Sequence, residues 1–291
     1  MRITNSLLYS QQLSQLQQQY QQVAIASTQV SSGQRNANVS DDPAAAATVL
    51  KTDAATRANT QYRRNITSAQ ASLTSEESTL DQVTDIMNRV KEIATEQGSA
   101  NSGTTSAAAA AEVQQLIDQV ISMGNLKIGD QFVFGGTNTG SPPFAADGTY
   151  SGNNVSSQTE ISQGNMMPTV DSGQQIFVDS GVLSSMQSLE TALQGGDQTA
   201  IRNTISGLDS AFDQTQTTLA GVGARTNTLS SATDALTSQA TSLAATRSAA
   251  ADIPIEEATL SLATMQNSLQ AGLLATSRIL STSLVNYLGT T

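Results

Sequence analysis

The chain has 291 residues with 24 acidic and 13 basic side chains, so it carries a net charge of -11 and a pI near 4.3. That balance repels phosphate backbones and excludes nucleic-acid binding, which needs a basic face. His, Cys and Trp are all absent, which removes Ser-His-Asp and Cys-His nucleophiles, imidazole and thiolate metal sites and disulfides together.

Aromatic residues make up 3% and hydrophobic residues 38% of the chain, too little for a thick globular core. A composition rich in Ala, Ser, Thr and Gln suits long helices with thin apolar seams. The sequence has no run of about 18 apolar residues, so no membrane-spanning helix is expected. The opening Met1-Arg2-Ile3-Thr4-Asn5 does not read as a cleaved secretory signal.

From 5 to 32, Leu13, Leu16, Tyr20, Val23 and Val30 recur at spacings of three and four, with Ser27 filling the one gap, which predicts a helix with one narrow apolar seam. Gly33 supplies a stop. Ser40-Asp41-Asp42-Pro43 then offers capping carboxylates and a proline suited to the first helical position. The helical pattern runs on to about Gln97 through Ile66, Leu73, Leu80, Val83, Met87 and Val90, with Glu76 interrupting. Such a helix is about 80 Å long. Gly98 to Gly103 breaks it, and a shorter helix follows over 106–123.

Between Gly124 and Gly181 the character changes. Gly, Pro, Asn and Ser punctuate the short runs Gln131-Phe132-Val133-Phe134, Asn154-Val155-Ser156 and Gln175-Ile176-Phe177-Val178, which predicts a small β-rich lobe. Helical rhythm resumes at Val182 and ends at Gly195-Gly196. From 197 to 249, Ile201, Ile205, Leu208, Phe212, Leu219, Val222, Leu229, Leu236, Ala240 and Leu243 hold a strict heptad, with threonines in the skipped positions. Pro254, Glu256 and Glu257 open a last helix. It places Leu262, Leu269, Leu273, Leu280 and Leu284 on one stripe.

The layout reads alike from both ends: a short amphipathic helix, a break, a long heptad helix, a shorter helix. A chain that runs out, turns in the β-rich lobe and runs back matches these segments best. The expected fold is mainly α, an elongated rod of long antiparallel helices with paired terminal helices. Its divisions are 1–40, 41–123, 124–181, 182–251 and 252–291. A helix of about 30 residues with a single stripe is marginal in water without a partner, so both terminal segments, 1–40 and 252–291, are expected to serve an assembly core.

The residues quoted so far also carry a family likeness. Met1-Arg2-Ile3-Thr4, Ser31-Ser32-Gly33-Gln34-Arg35, Ser40-Asp41-Asp42-Pro43-Ala44-Ala45 and Gln61-Tyr62-Arg63-Arg64-Asn65-Ile66 resemble the N-terminal part of the flagellin superfamily, and within it the hook–filament junction proteins. Phe132-Val133-Phe134-Gly135-Gly136, Pro142-Pro143-Phe144 and Tyr150-Ser151-Gly152 look like the start of that family's β-domain. Ala275-Thr276-Ser277-Arg278-Ile279-Leu280 and Asn286-Tyr287-Leu288 are similar to its C-terminal helix. Filament flagellin usually ends in Leu-Leu-Arg and carries Asp-Asp-Ala-Ala-Gly at the turn; Pro43 and the Gly289-Thr290-Thr291 end favour the junction branch.

The resemblance implies a structural adaptor between hook and filament, outside the cell, exported without a cleaved signal. Its implied partners are an adjacent junction protein, flagellin, its own copies in a ring, and a cytoplasmic export chaperone on the C-terminal helix. It implies no enzyme and no cofactor. The alternative is a minor flagellin within the filament.

Other motifs have simpler readings. Gly135 to Gly140 lacks the lysine and spacing of a phosphate loop and reads as a turn. Asp41-Asp42 and Glu76-Glu77 are adjacent in sequence and do not face one another on a helix, so they read as caps or solvated pairs. A carboxylate-based hydrolase in the lobe would have to draw on Asp130, Asp147, Glu160, Asp171 and Asp179, with no pairing set by spacing.

Overall fold

A computed structural model describes residues 2–36, 38–99 and 105–288. Six α-helices follow in order among these residues: α1 (Arg2–Ser32), α2 (Pro43–Ser99), α3 (Ser106–Gly124), α4 (Val182–Gly195), α5 (Gln198–Ala251) and α6 (Ile255–Leu288). Between α3 and α4 lie four short strands, β1 (Lys127–Ile128), β2 (Gln131–Phe132), β3 (Ser157–Ser162) and β4 (Asn165–Val170), and a π-helical turn, Gln174–Asp179. The fold is mainly α with a small β-rich insertion, as the periodicity predicts. The chain forms two compact units, Met1–Arg57 with Ala240–Thr291, and Ala58–Gln239.

In the Ala58–Gln239 unit the heptad of α5 is a core seam. Ile201, Leu208, Thr215, Val222, Leu229 and Leu236, seven residues apart, are all buried. A strict seven-residue repeat keeps one stripe facing one partner. That partner is α2, which buries Ile66, Leu73, Leu80, Val83, Met87 and Val90. The helices run antiparallel: Asn59 Nδ2 donates to the Leu236 carbonyl at 2.9 Å, Gln216 Nε2 to Thr84 Oγ1 at 3.3 Å, and Lys91 Nζ lies 2.7 Å from Asp209. The shorter helix α3 packs on α4. A left-handed Gly181 (φ 81°) precedes α4, and a left-handed Gly196 (φ 64°) follows it.

The insertion is held by four aromatic rings. Phe134 and Phe144 meet Phe177 edge-on at 5.5 and 5.4 Å, and Tyr150 lies 5.1 Å from Phe144. Phe144 fits only because its neighbours lack side chains: a Cβ on Gly124 or Gly173 would come within 2.6 or 2.7 Å of its ring. The β3–β4 hairpin is antiparallel, Ser157 opposite Val170 and Ser162 opposite Asn165. Its buried face, Ile161, Met167 and Val170, joins the core. The Gly135–Gly140 stretch is a turn, with the Asn138 N–H donating to the Gly135 carbonyl at 3.2 Å.

Three local expectations are corrected. The run Asn154-Val155-Ser156 lies just ahead of β3 and is not itself a strand. Gln175-Ile176-Phe177-Val178 is helical, although its side chains favour strands. Ile176 and Phe177 are adjacent and both buried, whereas a strand would point them to opposite faces. Neither is Glu76 a solvated residue: it is fully buried on the core side of α2.

A further feature recurs along the helices. Hydroxyls of Thr and Ser donate to the carbonyl one turn back, as from Thr67 to Arg63 (3.0 Å), Thr217 to Asp213 (2.9 Å), Thr228 to Ala224 (3.0 Å), Thr264 to Leu260 (2.8 Å) and Thr276 to Gly272 (2.8 Å).

Candidate assembly surface

The terminal unit is built on α1 packed antiparallel along α6. Each helix is separated from its long neighbour by a short break, and the two breaks are stitched together. Gln34 pairs with Asp252 as an isolated antiparallel bridge. The Arg35 N–H donates to the Ala251 carbonyl at 2.8 Å and the Ile253 N–H to the Gly33 carbonyl at 3.0 Å. Gly33, at φ 69°, makes the left-handed turn that ends α1. Beyond the break, Asp42 Oδ1 accepts from the Ala44 and Ala45 N–H groups at 3.0 and 2.9 Å, which caps α2 ahead of its first turn. Asp53 and Arg247 bridge α2 and α5 at 3.0 Å.

The seam between the terminal helices uses small residues. Ala26 and Ala258 are fully buried. At Gly272 the helices come so close that an added Cβ would lie 2.6 Å from Gln19 Oε1 and 3.5 Å from Leu16. Of the ten residues expected on the seams, Leu16, Val23, Val30, Leu262 and Leu269 are half-buried, and Leu13, Tyr20 and Leu273 are exposed. The side chains of Leu280 and Leu284 lie outside the described residues. The contact face of α1 thus runs through Leu16, Gln19, Val23, Ala26 and Val30, rotated away from Leu13 and Tyr20. Gln19, Ala26, Ala258 and Gly272 escape a search for bulky apolar residues.

Large apolar side chains consequently face outward. Leu260 is 70% exposed, Leu274 64%, Leu7 63%, Ile25 56% and Tyr20 55%. Leu13 and Tyr20 stand seven residues apart on α1, and Leu260 and Leu274 fourteen apart on α6, so each pair shares a helical face. These outward apolar side chains make the terminal unit the candidate interaction surface.

A depression of about 400 Å³ is lined by Asp171, Gln175, Asp179, Ser180, Gln214 and Thr218. Asp171 is held by Arg225 through two contacts, at 3.1 and 2.6 Å, and Asp179 accepts from Gln174 at 2.8 Å. Among the described residues no cluster of three acidic groups is placed to hold a metal ion, and no helix is long and apolar enough to cross a membrane.

Comparison with known proteins gives this arrangement its family. Residues 3–139 match the bacterial flagellin N-terminal helical region and residues 205–288 the bacterial flagellin C-terminal helical region. The chain belongs to the flagellin family. Both matched regions include a terminal helix and most of a long heptad helix, and the stretch between them contains the hairpin and α4.

Among its relatives, the flagellar hook-associated protein 3 of Salmonella typhimurium is 31% identical over 180 residues, 61% of this chain and 57% of that protein. The chain therefore aligns with little more than half of that relative. The flagellar hook-associated protein 3 of Escherichia coli is 29% identical over 237 residues, 80% of this chain and 73% of that protein. A crystal structure of Bacillus cereus FlgL shares the fold, with a TM-score of 0.60 at 23% identity, covering 68% of this chain and 99% of that one.

Proposed function

We propose that the chain is a structural adaptor subunit of the bacterial flagellum, joining the hook to the flagellin filament. The relatives named hook-associated protein 3 support this reading. The observation that carries it is the outward apolar surface of the two terminal helices, with Leu260 and Leu274 more exposed than covered. In an assembled ring these side chains pack between neighbouring copies, against an adjacent junction protein on one side and flagellin on the other. The assembly seam comprises the face through Leu13 and Tyr20 on α1 and, on α6, the face through Leu260 and Leu274 with the neighbouring face through Leu273. It extends toward Leu280 and Leu284. The segments 1–40 and 252–291 serve as the assembly core.

The same surface explains a need for protection before assembly. An exposed leucine stripe promotes aggregation, so a cytoplasmic chaperone covering the C-terminal helix until export fits its chemistry. Export follows the flagellar route without a cleaved signal, and the role is structural with no catalytic step.

Immunogold electron microscopy with antibody against residues 124–181 tests this reading. The expected result is a single narrow band where hook meets filament. Label along the whole filament would instead make the chain a minor flagellin, and absence of label from flagella would refute both.

A further inference from the structure

Glu76 sits on α2 between the buried residues Leu73 and Leu80, with its whole side chain buried. Its Oε1 accepts the Asp171 N–H at 3.3 Å and lies 3.7 Å from Arg225 Nη2. Its Oε2 is buried without a hydrogen-bond partner. Arg225 faces Asp171 instead, Nη1 to Oδ1 at 3.1 Å and Nη2 to Oδ2 at 2.6 Å. One guanidinium therefore stands against two carboxyl groups, and the bidentate contact belongs to Asp171.

Asp171 follows directly on β4, so this cluster ties the return end of the hairpin to both long helices. A second tie lies eleven positions back on α2, where Asn65 Nδ2 donates to the Glu160 carbonyl in β3 at 2.8 Å. The charged groups that face Glu76 are Arg225 from α5 and Asp171 from the segment after β4. Its neighbours on α2, Glu77 and Asp81, are exposed.

We propose that Glu76, Asp171 and Arg225 form a protonation-sensitive clamp, which holds the hairpin on α2 and α5 while Glu76 is neutral and loosens it in alkaline medium. A neutral acid tolerates a buried position with one oxygen unpaired, whereas a carboxylate there is costly. Burial, and next the charge of Asp171, push Glu76 up to about 8 against the opposing pull of Arg225. The unfolded chain releases this proton in the ordinary carboxylate range, and the folded unit keeps it until about pH 8. Between those limits the folded state binds the extra proton, so stability falls as pH rises through the window and reaches its floor above it.

The test is amide hydrogen exchange across residues 157–171 of the full chain at about pH 6.5 and about pH 9.5, each corrected for the intrinsic rate. Protection in the native chain is expected to drop about tenfold or more at the higher pH, and in Glu76→Gln to stay level. An equal drop in both chains, or no drop in the native chain, overturns the proposal. Should Glu76→Gln fail to fold, isotope-edited infrared spectroscopy of the native chain decides. A protonated carboxylic-acid band that is present at the lower pH and lost at the higher supports the clamp, and its absence at the lower pH refutes it.

Discussion

Replacing Leu260 and Leu274 together by Glu separates assembly from folding. Both side chains are about two-thirds exposed, 70% and 64%, so the isolated chain should change in stability by no more than about 0.5 kcal/mol. Covering a leucine fully is worth about 1.5–3 kcal/mol, and the exposed share of these two therefore amounts to roughly 2–4 kcal/mol per subunit contact. Burying a carboxylate in its place costs more still. With every 1.4 kcal/mol worth about tenfold in affinity, the lost leucine contact alone should lower incorporation roughly 30- to 700-fold.

Ala258→Glu is the contrast, because Ala258 is fully buried, and its replacement should unfold the terminal unit itself. The assay pairs thermal unfolding of the purified chain, followed by circular dichroism, with motility and electron microscopy of cells in which the variant replaces the native protein. A double variant that melts like the native chain and still assembles normally would refute the argument that these leucines face a neighbour.

Three further outcomes follow from packing and capping. Leu229→Ala removes a fully buried side chain from the α5 seam and should lower stability by about 2–5 kcal/mol in urea titration. Gly173→Ala pushes a methyl to within 2.7 and 2.8 Å of the Phe144 and Tyr150 rings and 3.0 Å of the Phe134 carbonyl. It should cost about 1–3 kcal/mol, and less in a Phe144→Ala background, where a double-mutant cycle reads the coupling. Asp42→Ala deprives the Ala44 and Ala45 N–H groups of their acceptor. The expected loss is about 1 kcal/mol, visible as faster amide exchange in the first turn of α2.

The helical part of this architecture was legible because its pattern is repetitive. Ile201 to Leu236 repeats every seven residues, and all six residues in register are buried, so periodicity alone identified the core stripe of α5. Glycine and proline marked the ends: Gly33, Pro43 and Gly196 stand where helices stop or start. The insertion was less legible because single residues there obey tertiary contacts. Ile176 and Phe177 favour a strand by propensity, but the aromatic cluster requires both to point inward, and a helical turn achieves that. Strand β3, Ser-Gln-Thr-Glu-Ile-Ser, is too polar to announce itself.

Within the terminal unit, periodicity located the two helices and left their rotation open. Leu13, Leu16, Tyr20 and Val23 fit one seam on paper, yet in the folded pair Gln19 and Ala26 occupy the contact in place of Leu13 and Tyr20. Close approach at Gly272 decides this, and a count of large apolar residues carries no information about close approach. Glu76 was concealed because the groups that face it, Asp171 and Arg225, are 95 and 149 positions away in the sequence.

The backward-bonded hydroxyls of the helices bear on how such a polar molecule can be packed densely against others. A threonine whose proton is already given to its own backbone, as at Thr264 and Thr276 on α6, has little to lose when water is withdrawn. Its donor stays satisfied, and only its methyl and one lone-pair face meet the neighbour. A charged coat would need a matching counterion at every contact, and an all-leucine coat would aggregate in the cytoplasm. A hydroxyl already bonded to its own backbone is therefore satisfied in water and in a dry contact alike, and asks nothing of the group that covers it.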